Sequence, residues 1–285
     1  MKRVDAHQHF WLLSRGDYGW LTPDLGAIHR DFLPSDIEPL LARHGIASTV
    51  LVQAAPTEAE TLYMLSLADR HPFVEGVVGW TDFAAEDAPA AIARLARHPK
   101  LKGLRPMIQD IADVDWMLQP ALEPAFRALA AADLVFDALV LPRHLDNLFR
   151  LAQRHPDLRI VVDHCAKPAV SSGDFAGWAE GMARMAAETA AVCKLSGLVT
   201  EAGAEWSVER LRPYVDHVLS VFGPGRILWG SDWPVCTLAA SYDDWVAATE
   251  RLLESCSGDE RGAILGGNAA DIYRLQVPDR VECRE

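Results

Sequence analysis

The stretch VDAHQHF at residues 4–10 distinguishes between a closed α/β barrel and an open doubly wound α/β sheet. The rest of the chain is compatible with both folds. The stretch is a mostly apolar run that ends in two histidines, His7 and His9. Side chains two positions apart in a strand project from the same face, so both imidazoles are expected on one side. A doubly wound dinucleotide-binding sheet would carry GxGxxG directly after its first strand, where this chain has His-Gln-His. The stretch therefore favours a closed barrel.

Seven further apolar or alternating runs follow and alternate with longer stretches of helical periodicity. The eight predicted strands are residues 4–10, 49–54, 74–80, 101–105, 134–139, 159–164, 192–196 and 227–232. A helix is predicted to end at Gly45, and another to begin with a capping box formed by Thr57 and Glu60. The pattern predicts an α/β fold, a (β/α)8 TIM barrel, as a single domain over residues 1–285.

The composition is that of a soluble globular protein. Half of the residues are hydrophobic and 24% are charged, and no run approaches the roughly 20 apolar residues of a membrane span. The net charge of −13 would repel nucleic acid and anionic lipid, so the expected partner is a small molecule. The first residues lack a signal-peptide pattern, which predicts a cytoplasmic protein. The sequence does not predict the oligomeric state, and a homo-oligomer is one possibility.

The cysteines form an odd set without a CxxC pair. This spacing indicates neither a disulfide framework nor a zinc cluster, so we expect reduced thiols that behave as small hydrophobic residues. They are Cys165, Cys193, Cys236, Cys256 and Cys283.

Two more polar residues stand at predicted strand ends. The sixth strand ends in Asp163-His164, and the eighth ends in Asp232. Barrel closure makes strands one and eight neighbours, and barrel enzymes place their catalytic groups at the carboxyl ends of the strands. We therefore predict that His7, His9, His164 and Asp232 meet as a catalytic centre, while Asp163 is expected to support it through hydrogen bonds. Such a set can hold one divalent metal, with Zn²⁺ the first choice.

Six motifs, in order along the chain, carry a family resemblance. They are DAHQHFW at 5–11, GLRP at 103–106, DHCAKP at 163–168, KLSGL at 194–198, WGSDWP at 229–234 and GNAA at 267–270. They resemble the sugar-lactonase branch of the amidohydrolase superfamily, the amidohydrolase family 2, and within it the bacterial L-fuconolactonases. The resemblance implies hydrolysis of a sugar lactone, namely L-fuconolactone to L-fuconate in L-fucose catabolism.

The resemblance does not decide whether the catalytic centre requires a metal ion. Binuclear members use a bridging lysine from the fourth strand, but here that strand ends in Arg105 and the fifth offers Asp137, so a binuclear centre is not expected. Some lactonases of this branch work without a tightly held metal. The lactone carbonyl would then be polarised either by a metal on the histidines or by the histidines themselves, with Asp232 activating water.

Substrate contacts are predicted at strand ends, each with a structural alternative. Arg105 could stabilise an oxyanion or form a salt bridge. Lys167 could likewise contact the substrate or be a structural or solvated lysine. Gln53 could bind sugar hydroxyls or bond to its barrel neighbours. Aromatic faces that could stack on a sugar ring, or serve as packing, belong to Trp11, Trp80 and Trp233. Tyr18 and Trp20, in an ordered loop over residues 12–34, could close over the site.

Three other functions were weighed. A serine esterase is disfavoured because the chain has no GxSxG elbow. A metal-dependent decarboxylase on the same scaffold would be expected to carry a further histidine, which KLSG in the seventh strand lacks. A catalytically silent sugar-acid binding protein would have no need of a water-activating carboxylate beside three imidazoles.

Overall fold

Parallel strands follow one another around a single sheet in the order of the chain. In the computed structural model, which describes residues 2–276, eight strands form this sheet. They are β1 Arg3–Gln8, β2 Ile46–Val52, β3 Val74–Gly79, β4 Leu101–Leu104, β5 Val135–Ala138, β6 Ile160–Val162, β7 Val192–Leu195 and β8 Ile227–Trp229. The predicted (β/α)8 barrel is confirmed.

Helices cover the outside of the strands. The α-helices are α1 Pro34–His44, α2 Glu58–Arg70, α3 Ala88–Leu95, α4 Glu123–Ala131, α5 Leu145–Arg154, α6 Ala176–Glu188, α7 Leu198–Ala202, α8 Val208–Phe222, α9 Tyr242–Leu252, α10 Gly258–Gly262 and α11 Asn268–Ile272. A π-helical turn, Ala263–Gly267, joins the last two. Within residues 2–276, none of the helices has the length and hydrophobicity that crossing a membrane requires.

The barrel closes beside β1 through the residues that follow β8. The Asp232 amide donates to the His7 carbonyl at 2.8 Å, and the His9 amide donates to the Trp233 carbonyl at 2.7 Å. These bonds fix the segment after β8 against the segment that ends β1. The closure therefore brings Asp232 to the histidine pair, as the sequence predicted.

A register shift in β1 decides where the histidines point. Val4 and Ala6 pack with small apolar residues from the other strands in the barrel interior. Strict alternation from these two would send His7 outward. The pairing with β2 shifts between Asp5 and Gln8, and His7 lies against the interior side chain Lys194. The shift therefore lets Ala6 and His7 both face inward.

Local predictions were largely confirmed, with shifted boundaries. Strand β2 begins at Ile46, three positions before its prediction, and His164 lies in a turn beyond β6. Helix α1 ends at Gly45 in the left-handed conformation. The Thr57 side chain accepts from the Glu60 amide, but the other half of the predicted capping box was wrong. The Glu60 carboxylate instead accepts the amides that follow β2, because this loop leaves them without other partners.

The cysteine prediction agrees with the structure over the described residues. Cys165, Cys193 and Cys236 are buried and reduced, and Cys256 is half-buried. Cys283 lies outside the described residues.

Candidate active site

Three imidazoles and one carboxylate converge at the carboxyl ends of β1, β6 and β8. His9 Nε2 lies 3.2 Å from both Asp232 Oδ1 and His7 Nε2. His7 Nε2 lies 3.6 Å from Asp232 Oδ1, and His164 Nε2 lies 4.0 Å from the same oxygen. The structure thus brings together the four residues that the sequence assigned to the centre.

Left-handed backbone turns present two of these side chains. His164 has φ 50°, the next three residues through Lys167 are also left-handed, and Asp232 has φ 57°. Residues other than glycine rarely adopt this conformation, and such strain is concentrated at functional sites. Gly197 allows the first turn, because a Cβ atom there would lie 2.7 Å from His164 Nδ1. The turns direct His164 and Asp232 toward the strand-end histidines.

The outer ring nitrogens of the histidines are held by neighbours. His9 Nδ1–H donates to the Val52 carbonyl at 2.8 Å, so Nε2 is the ring nitrogen of His9 that faces Asp232. His164 Nδ1 lies 2.8 Å from Ser196 Oγ. His7 Nδ1 lies 3.4 Å from Asp163 Oδ1. Each imidazole is therefore oriented from outside, and its Nε2 atom faces the centre.

Burial sets the protonation states of this cluster. It lowers the pKa of His7 well below its ordinary value and lowers that of His164 to about 4, so both rings are neutral at pH 7. Burial also raises the pKa of Asp232, but His164, a hydrogen bond from His9 and His7 together bring it below its usual range. The centre therefore holds the neutral imidazoles of His7 and His164 beside the ionised carboxylate of Asp232.

The donor set fits a divalent cation. His9 Nε2 lies 3.2 Å from the carboxylate oxygen of Asp232, a contact in which the two atoms share either a proton or a metal ion. Ligand atoms about 2.1 Å from a tetrahedral ion lie about 3.4 Å apart. The separations of 3.2 to 3.6 Å among His7, His9 and Asp232 agree with that spacing.

A buried ionic network, which sequence reasoning missed, lies beneath the centre. Lys194 Nζ contacts Asp137 Oδ2 at 2.6 Å and Asp163 Oδ1 at 2.8 Å. Arg105 Nη1 donates to Asp163 Oδ2 at 3.1 Å. Tyr273, beyond α11, donates its hydroxyl hydrogen to Asp137. Burial lowers the pKa of Lys194, but its two carboxylate partners outweigh that effect and raise it.

This network makes Asp163 a supporting group, as predicted. Both of its oxygens are taken by the cations of Lys194 and Arg105, so it holds His7 in place and is not free for a metal. One signal could have pointed to Lys194, namely a lone charge inside the apolar run of the seventh strand. No local signal indicates that Tyr273 reaches the barrel interior.

Arg105 and Gln53 lock each other beside the centre. Gln53 Nε2 donates to the Arg105 carbonyl at 2.7 Å, and Arg105 Nη2 donates to the Gln53 carbonyl. Arg105 Nη1 also lies 3.4 Å from His7 Nε2. The buried Gln53 Oε1 and Arg105 Nε have no partner in the structure. Lys167 lies farther out and pairs with Glu201 at 3.4 Å. Substrate contacts by these residues stay predictions.

The three predicted tryptophans differ in their surroundings. Trp11 is fully buried and donates to the Arg30 carbonyl. Trp233 is almost fully buried and packs edge-to-face against Phe32. These contacts are those of packing side chains, and stacking by Trp11 or Trp233 on a substrate stays a prediction. Trp80 is half-buried and lines a cavity, so its flat face is accessible.

This cavity, which we call the rim cavity, has a volume of about 630 Å³ and lies where β2, β3 and β4 end. The side chains that bear on its character are Trp20, Trp80, Phe83, Trp116, Asp82 and Asp110. Trp20 belongs to the loop that was predicted to cover the site, and its indole donates to the Ala54 carbonyl. Pro106, the residue after Arg105 in the chain, also lines the cavity, whereas the three histidines and the aspartate of the centre do not.

Another cavity, of about 660 Å³, lies where β1 begins, at the opposite end of the barrel. Its walls include Arg3, Glu250 and Arg261, and none of the predicted site residues. The chemistry is therefore at the other end of the barrel.

Comparison with known proteins assigns this arrangement to a family. The family model described as amidohydrolase matches residues 4–275. The chain belongs to the amidohydrolase family. This amidohydrolase is 51% identical over 280 residues to an L-fucono-1,5-lactonase of Burkholderia ambifaria, with 97% of each chain covered. It is 38% identical over 290 residues to an L-fucono-1,5-lactonase of Burkholderia multivorans, again with 97% of each chain covered.

A solved structure supports the same assignment. A crystal structure of an amidohydrolase from Burkholderia multivorans with bound zinc superimposes on this amidohydrolase with a TM-score of 0.91. The sequence identity is 38%, and the match covers 96% of this chain and 100% of the other. The family resemblance read from the sequence motifs is thus confirmed.

Proposed function

We propose that this amidohydrolase is a lactonase that hydrolyses L-fucono-1,5-lactone to L-fuconate in L-fucose catabolism. The observation that carries the proposal is the ionised Asp232 carboxylate within 3.2 to 4.0 Å of three imidazoles at a barrel mouth. Hydrolysis of a cyclic ester needs a group that accepts a proton from water and positive or hydrogen-bonding groups around the carbonyl oxygen. The two curated relatives support the choice of the six-membered lactone.

The residues of the chain account for each proton movement. Asp232 accepts a proton from the attacking water as the water oxygen bonds to the lactone carbonyl carbon. The resulting tetrahedral centre collapses, the bond to the ring oxygen breaks, and Asp232 returns its proton to that oxygen. The new carboxyl group then loses its proton to solvent, which gives the L-fuconate anion. Arg105, which lies 3.4 Å from His7 Nε2, stabilises the negative charge that develops on the carbonyl oxygen.

We further propose that His7, His9, His164 and Asp232 hold one divalent metal, Zn²⁺. When bound, the metal supplies a Lewis acid that polarises the carbonyl and lowers the pKa of water. The donor set and the zinc-bound relative support this choice. Without a metal, the same imidazoles would polarise the carbonyl as hydrogen-bond donors, and the neutral rings of His7 and His164 each have a single N–H for that purpose.

The body of the sugar would occupy the rim cavity. Trp80 offers a flat face for the apolar side of the ring, and the adjoining Gln53 has a buried acceptor without a partner for hydroxyl groups. Lys167 would bind a more distant hydroxyl. Trp11 and Trp233 would support the site by packing behind His9 and Asp232.

Location and partners follow the same proposal. A catabolic lactonase acts on a small neutral molecule in the cytoplasm, and the net charge of −13 disfavours nucleic acid as a ligand. The two alternative functions have less support. Lys194 stands in β7 where a decarboxylase would be expected to offer another histidine, and the two Burkholderia relatives described above are lactonases.

The test is a pH-indicator assay on a lactone panel, corrected for spontaneous hydrolysis. The panel contains L-fucono-1,5-lactone and the lactones of L-rhamnonate and D-galactonate. We expect the highest kcat/KM on L-fucono-1,5-lactone. Asp232→Asn, checked for its fold by circular dichroism, serves as the catalytically dead control. Acid release at the spontaneous rate on every lactone would refute a lactonase and leave the sugar-acid binding protein.

A further inference from the structure

The rim cavity is lined by aromatic side chains and by negatively charged ones. Asp82 and Asp110 are exposed and line it together with Trp20, Trp80 and Trp116. No lysine or arginine among residues 2–276 contributes to its lining. Aromatic faces and carboxylates are suited to a neutral polyol, whose hydroxyls donate to carboxylate oxygens. They are poorly suited to an anion.

The negative charges of Asp82 and Asp110 are not offset by a neighbouring cation among residues 2–276. Asp82 Oδ1 accepts the Ala84 amide at 2.9 Å, and Asp110 Oδ2 accepts from Gln109 at 3.4 Å. Neither forms an ion pair within the described part of the chain. A third carboxylate at the cavity, Asp17, differs, because Arg15 pairs with it at 2.6 Å. The unbalanced negative charge of the wall therefore comes from Asp82 and Asp110.

The reaction changes the charge of the molecule in the site. Resting on the proposed function, a neutral lactone enters and a sugar-acid anion leaves. The anion forms between the carboxylate of Asp232 and a cavity wall that carries further carboxylates. A cleft lined by charge of one sign between low-dielectric walls strengthens the repulsion of a like charge. Arg105 is paired with Asp163, and the rim cavity has no lysine or arginine among its described lining residues.

We infer that Asp82 and Asp110 act as specificity-determining residues that discriminate against anions at the rim cavity. They admit the neutral lactone, weaken the binding of the carboxylate product and so limit product inhibition. The same charge disfavours lactones that bear additional carboxylates.

The test compares the parent with the double variant Asp82→Asn/Asp110→Asn. Asparagine keeps the acceptor oxygens for Ala84 and Gln109 and removes only the charge. The probes are L-fuconate and the neutral polyol L-fucitol, with dissociation constants measured by calorimetry at about 10 mM and about 1 M salt. Inhibition of lactone hydrolysis by L-fuconate is measured in parallel. The matched control is Asp157→Asn/Asp216→Asn, two exposed aspartates away from the cavity that form no ion pair within residues 2–276.

At low salt we expect the double variant to favour L-fuconate over L-fucitol about fivefold more than the parent does, with a matching fall in the inhibition constant. At about 1 M salt the difference should disappear, because the Debye length falls to about 3 Å. The control should match the parent. An unchanged ratio, or equal changes for both ligands, would overturn the inference. Binding does not require turnover, so these outcomes are distinct from absent lactone hydrolysis, which refutes the proposed function.

Discussion

His9 Nε2 and Asp232 Oδ1 lie 3.2 Å apart although 223 positions separate them in the chain. The contact exists because the amide of Asp232 bonds to the His7 carbonyl and because His9 Nδ1 is fixed by Val52. An imidazole nitrogen and an ionised carboxylate held in this way form a site that is ready for a cation and for a water molecule.

Asp232→Asn should retain the fold and lower kcat on L-fucono-1,5-lactone by about 10²- to 10⁴-fold, because the amide cannot accept the proton of water. Steady-state kinetics, with thermal unfolding as a check on the fold, measures the effect. Asp157→Asn is the control for an exposed aspartate. Near-parental turnover in a folded Asp232→Asn protein would remove this residue from the mechanism.

Metal removal should abolish activity if the cluster works as proposed. We expect elemental analysis to find about one zinc ion per chain, lost on exhaustive chelation and regained with activity on zinc addition. His9→Ala should lower the zinc content, whereas His98→Ala, a half-buried histidine paired with Asp69 outside the cluster, should not. Full activity of the chelated, metal-free protein would instead make the histidines direct hydrogen-bond donors.

Gly197→Ala should displace His164. Its φ of 69° and the 2.7 Å approach of a Cβ atom to His164 Nδ1 leave no room for a methyl group. We expect kcat/KM to fall by about 10²-fold, as for a misplaced catalytic group. Gly16→Ala is the matched control, because its φ of 72° and ψ of 8° resemble the 69° and −7° of Gly197, but a Cβ atom there meets nothing within 4 Å. The control should lose about 1 kcal/mol of stability from its left-handed backbone alone, whereas Gly197→Ala should lose more stability and should also lose activity.

Lys194→Met should be strongly destabilising. It removes the cation between Asp137 and Asp163 and leaves buried charge without compensation, at a cost of about 3 to 5 kcal/mol in the free energy of unfolding. Lys167→Met is the control, because its partly exposed pair with Glu201 should contribute less than about 1 kcal/mol. Urea unfolding of the three proteins measures both values, and equal losses would contradict the role assigned to the buried network.

Glu60 should make stability depend on pH. Burial raises its pKa to about 7, although the amides of Ala55 and Ala54 oppose the shift. A raised carboxyl pKa means that the folded state binds the proton more tightly, so the contribution to stability is greatest below about pH 4.5 and is lost by about pH 7.

The difference in unfolding free energy between the parent and Glu60→Gln should therefore fall by about 3 kcal/mol as the pH rises through this range. Denaturant titrations at a series of pH values measure it. A difference that is constant or rises with pH would show that the Glu60 pKa is not raised. Glu75→Gln is the control for a glutamate that is not fully buried.

The eight strands, the helical stretches between them and the candidate residues His7, His9, His164 and Asp232 could all be predicted from the amino-acid sequence. These features are local, because hydrophobic period and polar residues at the end of an apolar run can be read within a few positions. The family motifs added the reaction class, since they surround the same strand ends.

The way in which these side chains face one another depends on the packing of segments that are distant in the chain. The register shift that turns His7 inward depends on the pairing of β1 with β2, and the left-handed turn at His164 depends on the space that Gly197 leaves. The Lys194–Asp137 salt bridge and the hydrogen bond from Tyr273 to Asp137 connect the interior of the barrel to the residue that follows its last helix. Sequence periodicity reports local structure and contains no information on the distance between remote segments. For the same reason, the negative charge of the rim cavity becomes visible only when three separate loops come together in the fold.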